Sequence, residues 1–210
     1  MKLFVFDTET GGLDPLEHSL LTLAGVVWED GEIVDQIDLM ICEPIMSTTP
    51  DAMRINKLNL AEVRAKGITP NDAAQTLEAF FKKHWAADPV PLAGHNVAFD
   101  VGFLKRLYRV AARTNSVAVP GAYAVAEALA DKAFNRRFSY RLTDTQGIAM
   151  FLNLAGIRST TNQKLGTLID AFQVTRDMGE QHNALADATY TARVLTRMIE
   201  AVQPKVSAVE

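Results

Sequence analysis

The sequence predicts an α/β fold in which a mixed β-sheet is flanked by helices, and three observations predict it. Three β-like segments come first and in succession, the second and third joined by a strong turn signal. One further short strand follows a helix, and from there to the end the patterning is mainly helical. Finally, "DTETGGL" after the first strand lacks the Gly-x-Gly-x-x-Gly turn of dinucleotide-binding sheets, which disfavours a purely parallel, doubly wound arrangement.

The elements follow in order. Leu3, Phe4, Val5 and Phe6 form a continuous apolar run, the pattern of a strand covered on both faces, and Gly11, Gly12 and Pro15 stop it. Two β-rich runs, 20–28 and 32–41, flank "EDGE", whose Asp30-Gly31 pair marks a hairpin. "STTPDAMRINKLNLAEVRAKGIT" reads as a polar connection with short helical turns. A helix follows with Thr69 as N-cap, Pro70 at its first position, and Leu77, Phe80 and Phe81 as its buried stripe. "PVPLAGHN" supplies a fourth strand. The next helix carries Phe99, Phe103, Leu107 and Val110 on one face. Residues 114–142 hold a helix after Pro120 and a strand near 138–142. Helical patterns resume at "DTQGIAMFLNLA", "NQKLGTLIDAF" and "NALADATYTARVLTRMIEAV", the last with Leu185, Ala188, Ala192, Leu195 and Ile199 on one face. Residues 1–202 are expected to form one domain and 203–210 a short frayed tail.

Composition narrows the function. A chain of 210 residues with a formal net charge of −4 is poorly suited to coating long duplexes by counterion release, though an enzyme holding a few nucleotides remains compatible. No apolar run reaches the ~18 residues needed to span a bilayer, and no signal peptide is apparent, so a cytoplasmic protein without membrane contact is expected. The single cysteine, Cys42, fits a reducing compartment and reads as a small buried hydrophobe. The basic clusters "KRLYR" (105–109) and "NRRFSYR" (135–141) read as solvated faces of a helix and a loop, the second with aromatic interleaving suited to a strand contact. His18 and His84 receive no role. Trp28 and Trp85 are core or rim aromatics, and His95 reads as a packed histidine.

The chemistry is carried by acids. Side chains two apart in an extended chain share a face, so Asp7 and Glu9 project together from a core strand and must be offset by a cation or by protonation. Asp100 opens the helix after the fourth strand, and Asp187 lies in the first turn of the last helix. His182 precedes that turn by five residues, a spacing that puts it in the loop before the helix with Asn183 as N-cap. Four carboxylates from three distant segments are the ligand type of hard divalent cations, and two such ions ~3.5–4 Å apart form a clamp for in-line displacement at phosphorus. Asp7 would bridge both ions and Glu9 hold one, while a histidine of ordinary pKa could deprotonate the attacking water.

"FDTETGGL", "HNVAFDVGFL" and "HNALAD", in that order, resemble the three exonuclease motifs of the DEDD superfamily, and the His-x4-Asp spacing of the third resembles its DEDDh (DnaQ-like) branch. The likeness runs from residue 3 to about 197. It implies a ribonuclease-H-like fold, two Mg²⁺ or Mn²⁺ ions, and release of nucleoside 5′-monophosphates from 3′ ends. Carried over, Asp7, Glu9, Asp100 and Asp187 become metal ligands and His182 the general base. The stretch around Thr8, Thr10 and Leu13 corresponds to where the family seats the terminal nucleotide. "PDAMRIN" stands where relatives approach the last base, with Asn56 in place of their histidine. Asn96 and Phe99 are further candidates for substrate contact, against helix capping for Asn96 and core packing for Phe99. The expected substrate is a single-stranded or frayed DNA 3′ end, with RNA 3′ ends as the alternative and a silent module that binds nucleic acid or a polymerase as the rival class. A polymerase or other replication partner is compatible, and the oligomeric state is left open.

Overall fold

A computed structural model describes residues 1–116, 121–178 and 183–203. Its elements are β1 (Lys2–Thr10), β2 (Leu20–Glu29), β3 (Glu32–Met40), α1 (Pro50–Asn56), α2 (Leu60–Lys66), α3 (Pro70–Trp85), β4 (Val90–Gly94), α4 (Val97–Thr114), α5 (Ala122–Arg137), β5 (Phe138–Asp144), α6 (Thr145–Leu154), α7 (Leu165–Ala171) and α8 (Ala184–Val202). The five strands lie in the order β3-β2-β1-β4-β5. β1 and β3 run antiparallel to β2, whereas β4 is parallel to both β1 and β5. This is the mixed sheet the sequence predicts.

The sheet works because β1 is central. With neighbours on both edges and helices on both faces, it needs apolar side chains at every position, and Leu3, Phe4, Val5 and Phe6 are all at most 2% exposed. Its period of two divides them. Phe4 and Phe6 join Leu77, Phe81, Phe103 and Leu107 under α3 and α4, while Leu3 and Val5 join Val26, Ala192 and Leu195 under α8. The hairpin turns at Asp30 and Gly31, both at positive φ (49° and 105°), as Asp-Gly favours. Thr69 accepts from the Asp72 amide with Pro70 beside it, as expected of a first helical turn.

Several expectations are corrected. Asn96 occupies the N-cap of α4 in the left-handed region (φ 60°), but its side chain makes no capping bond; its backbone N–H instead donates to Asp144 Oδ1 at 3.0 Å. Cys42 is half-buried rather than buried. The basic run 105–109 is no solvated face: Arg106 pairs with Glu43 in the interior, and Lys105 and Arg109 both reach Asp131. Within the second basic cluster, Arg137 is drawn in by Glu78 and the carbonyls of Ala86 and Asp88, leaving Arg141 stacked on the exposed Tyr140 ring. Helix α8 is buried on two sides, because Tyr190, Val194 and Met198 form a second core with α6 and α7. The expected tail falls almost wholly outside the described residues, only Gln203 of it being described. Among the described residues, no helix is long and apolar enough to cross a membrane.

Candidate metal centre and active site

The same alternation that sorts the core aims the acids. Asp7 and Glu9 continue the odd-numbered face of β1, the face covered by α8, so they look towards the N-terminus of that helix. Asn183 caps α8, its Oδ1 accepting from the Leu185 and Ala186 amides at 3.1 Å each, which fixes the first turn that carries Asp187. One carboxylate oxygen from each of Asp7, Glu9 and Asp187 falls within 4.8 Å of the other two. Thr8, on the even face, looks instead towards α4, where its amide and hydroxyl donate to Asp100 Oδ1 at 3.0 and 2.6 Å. Asp100 is thereby held at the edge of the cluster, outside that close trio but near enough to act on Asp7 by charge.

The electrostatics are those of carboxylates that repel one another. Burial raises the Asp7 carboxyl well above its ordinary range, and Asp100, Asp187 and Glu9 raise it further. Burial, then Asp187 and Asp100, pushes Glu9 up to about 8. Asp100 rises to about 7, again by burial first, in spite of the two bonds from Thr8 that oppose the shift. Among the described residues, the charged groups that raise Asp7 and Glu9 are other carboxylates. An all-oxygen, anionic donor set of this kind fits a hard divalent cation, which would offset the repulsion.

The remaining expected residues fall into three groups. His182 lies outside the described residues. Leu13 is 84% exposed on the loop that follows β1, and Phe99 is half-buried on α4 with its ring 5.1 Å from that of Phe103. Others are engaged within the protein: the Thr10 hydroxyl donates to the Gly12 carbonyl at 2.7 Å, and the buried Asn56 side chain donates to the Thr10 carbonyl at 3.0 Å while accepting from the Leu58 amide at 3.0 Å. Asn56 thus ties the end of α1 to the end of β1. His95 meets the Thr145 hydroxyl at 3.0 Å, the packed role expected of it.

Sequence reasoning missed Asp144, which caps α6 through the Gln146 amide, holds the Asn96 amide, and adds its charge to those raising Asp100. An Asp immediately before a helical pattern was the available signal. It also missed a cavity of about 250 Å³ beside Glu9, lined by Thr22, Asp38, Met40 and Leu58 among others, because these residues come from segments distant in sequence.

A mixed sheet carrying a carboxylate cluster at the end of its central strand defines a ribonuclease-H-like protein with an acidic centre. The family described as Exonuclease matches residues 4–195, and the chain belongs to it. It is 30% identical over 198 residues to a PolC-type DNA polymerase III of Listeria welshimeri, and 24% identical over 202 residues to that of Bacillus subtilis, in each case covering 93% of this chain and 11% of the relative. The chain therefore spans about a tenth of the length of these relatives. Among solved structures, Exonuclease I of E. coli in complex with a dT13 oligonucleotide superposes with a TM-score of 0.68 at 18% identity, over 97% of this chain and 41% of that one. Cell-death related nuclease 4 gives 0.66 at 12% identity, over 95% and 64%. These structures share the ribonuclease-H-like fold.

Proposed function

We propose that this chain is a metal-dependent 3′→5′ exonuclease of the DEDDh type that releases nucleoside 5′-monophosphates from single-stranded or frayed DNA ends, with residues 1–202 as the catalytic unit. The observation that carries the reading is the cluster of Asp7, Glu9 and Asp187, whose oxygens lie within 4.8 Å of one another and whose charges oppose each other's ionisation. With Asp100 alongside, these residues would hold two Mg²⁺ or Mn²⁺ ions. Bound there, the ions supply the positive charge that in-line displacement at phosphorus needs.

The chain's own residues do the rest. Thr8 aims Asp100 through its two hydrogen bonds. His182, placed by its spacing before the capped first turn of α8, takes the proton of the attacking water and must be neutral to do so. Leu13 and the part of Phe99 that reaches the surface offer apolar contacts for the terminal nucleotide, which must be unstacked to reach the cleft. DNA is favoured as substrate because the relatives are DNA polymerases and Exonuclease I binds an oligodeoxynucleotide. That those relatives are DNA polymerases likewise supports a link to a polymerase.

Matched 3′- and 5′-labelled DNA and RNA oligonucleotides incubated with Mg²⁺, Mn²⁺ or EDTA test the reading. A ladder shortening from the 3′ end of DNA, abolished by EDTA and slowed roughly 10²–10⁴-fold by His182→Ala, is the expected result. Retention of cleavage in EDTA, or shortening from the 5′ end, would overturn it.

A further inference from the structure

We propose that Arg106 is a positioning residue for the substrate-binding loop 11–19, and that with Glu43 it sets how tightly the terminal nucleotide is held; the inference rests on the exonuclease reading above. The loop leaves β1 directly after Thr10, the neighbour of Glu9, and presents Leu13 and Leu16 to solvent, 84% and 70% exposed. A short loop with two exposed leucines has no apolar reason to keep one shape. It is held by its own turn, in which the Asp14 carbonyl accepts from the Glu17 and His18 amides, by backbone bonds to the 47–49 segment, and by a buried ion pair.

Arg106 of α4 and Glu43, just beyond β3, have side chains only 10% and 3% exposed. The guanidinium meets the carboxylate in the two-pronged manner that arginine allows, Nε to Oε1 at 2.8 Å and Nη2 to Oε2 at 2.6 Å. Its remaining arm, Nη1, donates to the Pro15 and Leu16 carbonyls at 3.0 and 3.2 Å, which are the middle of the loop. The other partner holds the loop's exit: Glu43 accepts from the Ser19 hydroxyl at 3.1 Å and the Leu20 amide at 3.0 Å. The loop's entry is pinned as well, the Gly11 amide donating to the Ser19 carbonyl at 2.7 Å. One turn before Arg106, Gly102 lets the loop lie against α4, where an added Cβ would stand 3.1 Å from Pro15 Cγ. Phe99, Gly102 and Arg106, at i, i+3 and i+7, thus form one line of α4 running from the cleft along the underside of the loop.

A buried ion pair is weak as a source of stability, because desolvation offsets its attraction. Its value here is geometric: three loop groups and the first amide of β2 are fixed by two side chains from distant segments. Loss of the fork leaves the acids and their metals untouched but lets Leu13 drift, so binding of the terminal nucleotide weakens while chemistry on bound substrate continues.

Steady-state kinetics on a labelled single-stranded oligodeoxynucleotide with Mn²⁺, for Arg106→Lys, Gly102→Ala, Leu13→Ala and Arg106→Lys/Leu13→Ala, test this. Arg106→Lys keeps the charge and loses the fork; Gly102→Ala leaves the ion pair intact, favours the helix, and pushes Pro15 outward. The expected result is a KM raised about tenfold by Arg106→Lys and severalfold by Gly102→Ala, with kcat and Mn²⁺ affinity kept within about twofold. Leu13→Ala should cost about tenfold in the wild-type background and almost nothing in the Arg106→Lys background. An unchanged KM in folded Arg106→Lys, or full additivity with Leu13→Ala, overturns the proposal while leaving the exonuclease reading standing. Failure of Arg106→Lys to fold together with an unchanged KM in Gly102→Ala overturns it too. An inactive wild type would instead remove the exonuclease reading, and this inference with it.

Discussion

Glu9, near the end of the central strand, and Glu43, just beyond β3, are almost equally buried, 9% and 4% exposed, yet their surroundings are opposite. Glu43 is met by a guanidinium, a hydroxyl and an amide, so its charge is matched in place. Glu9 faces Asp187 and Asp100, and its carboxyl is pushed up to about 8. Burial alone therefore says little about a carboxylate's role; the balance of charge around it separates a brace from a binding centre. Arg106 of the balanced pair also holds the loop carbonyls of Pro15 and Leu16, whereas the carboxyl of Glu9 is relieved either by protonation or by a cation.

The largest expected effect comes from breaking the balanced region. Glu43→Ala leaves Arg106 charged and buried without its partner, and urea unfolding of the metal-free protein should show a loss of about 3–5 kcal/mol. Glu9→Gln, an equally buried change, should leave stability unchanged or raised at pH 8, because it removes repulsion. Equal losses at both positions would dissolve the contrast.

A smaller effect tests the link between the two kinds of region. Thr8→Val deletes the 2.6 Å hydroxyl bond to Asp100 while keeping shape, which should cost about 1.5–3 kcal/mol at a pH where Asp100 is ionised and much less where it is protonated. Unfolding at pH 5.5 and pH 8.5 reads the difference.

How much of this was legible beforehand depends on the range of the interaction. Asp7 and Glu9 were readable because a period of two is local, and Asp30-Gly31, Thr69-Pro70 and Asn183 because turn and cap chemistry is local too. The Glu43–Arg106 brace was not, since its partners are 63 positions apart and each looks like an ordinary surface charge. For the same reason "KRLYR" read as a solvated face. The second apolar side of α8, formed by Tyr190, Val194 and Met198, was missed because its burial depends on α6 and α7 packing over it. Asp144 reaches the site only because β5 lies beside β4, a pairing fixed by tertiary structure. The role of Asn96 was misread because a left-handed N-cap turns its side chain away from the bond the motif suggests.

A subtler contrast appears with pH. The carboxyls of Glu9 and Asp100 are raised in the fold, from 4.5 to about 8 and from 3.8 to about 7, so the folded metal-free protein binds more protons than the unfolded chain between those values. Stability should therefore be highest at the acid end of that window and fall as pH rises towards 8, by at most about 1.4 kcal/mol per pH unit for each group. Saturating Mn²⁺ should remove the decline, and Glu9→Gln should reduce it. Thermal unfolding from pH 5 to pH 8.5, with and without Mn²⁺, provides the check; a rise in stability across the window would mean that these acids are compensated.

The central claim is that the repelling acids at the end of β1 are a divalent-cation centre, and calorimetric titration of Mn²⁺ into the wild-type protein and Asp7→Ala tests it most directly. At pH 7 the wild type should bind saturably with release of protons, seen as a heat that changes with the ionisation enthalpy of the buffer, and Asp7→Ala should lose that binding while remaining folded. Undiminished Mn²⁺ binding by folded Asp7→Ala, or no binding by the wild type, would contradict the account.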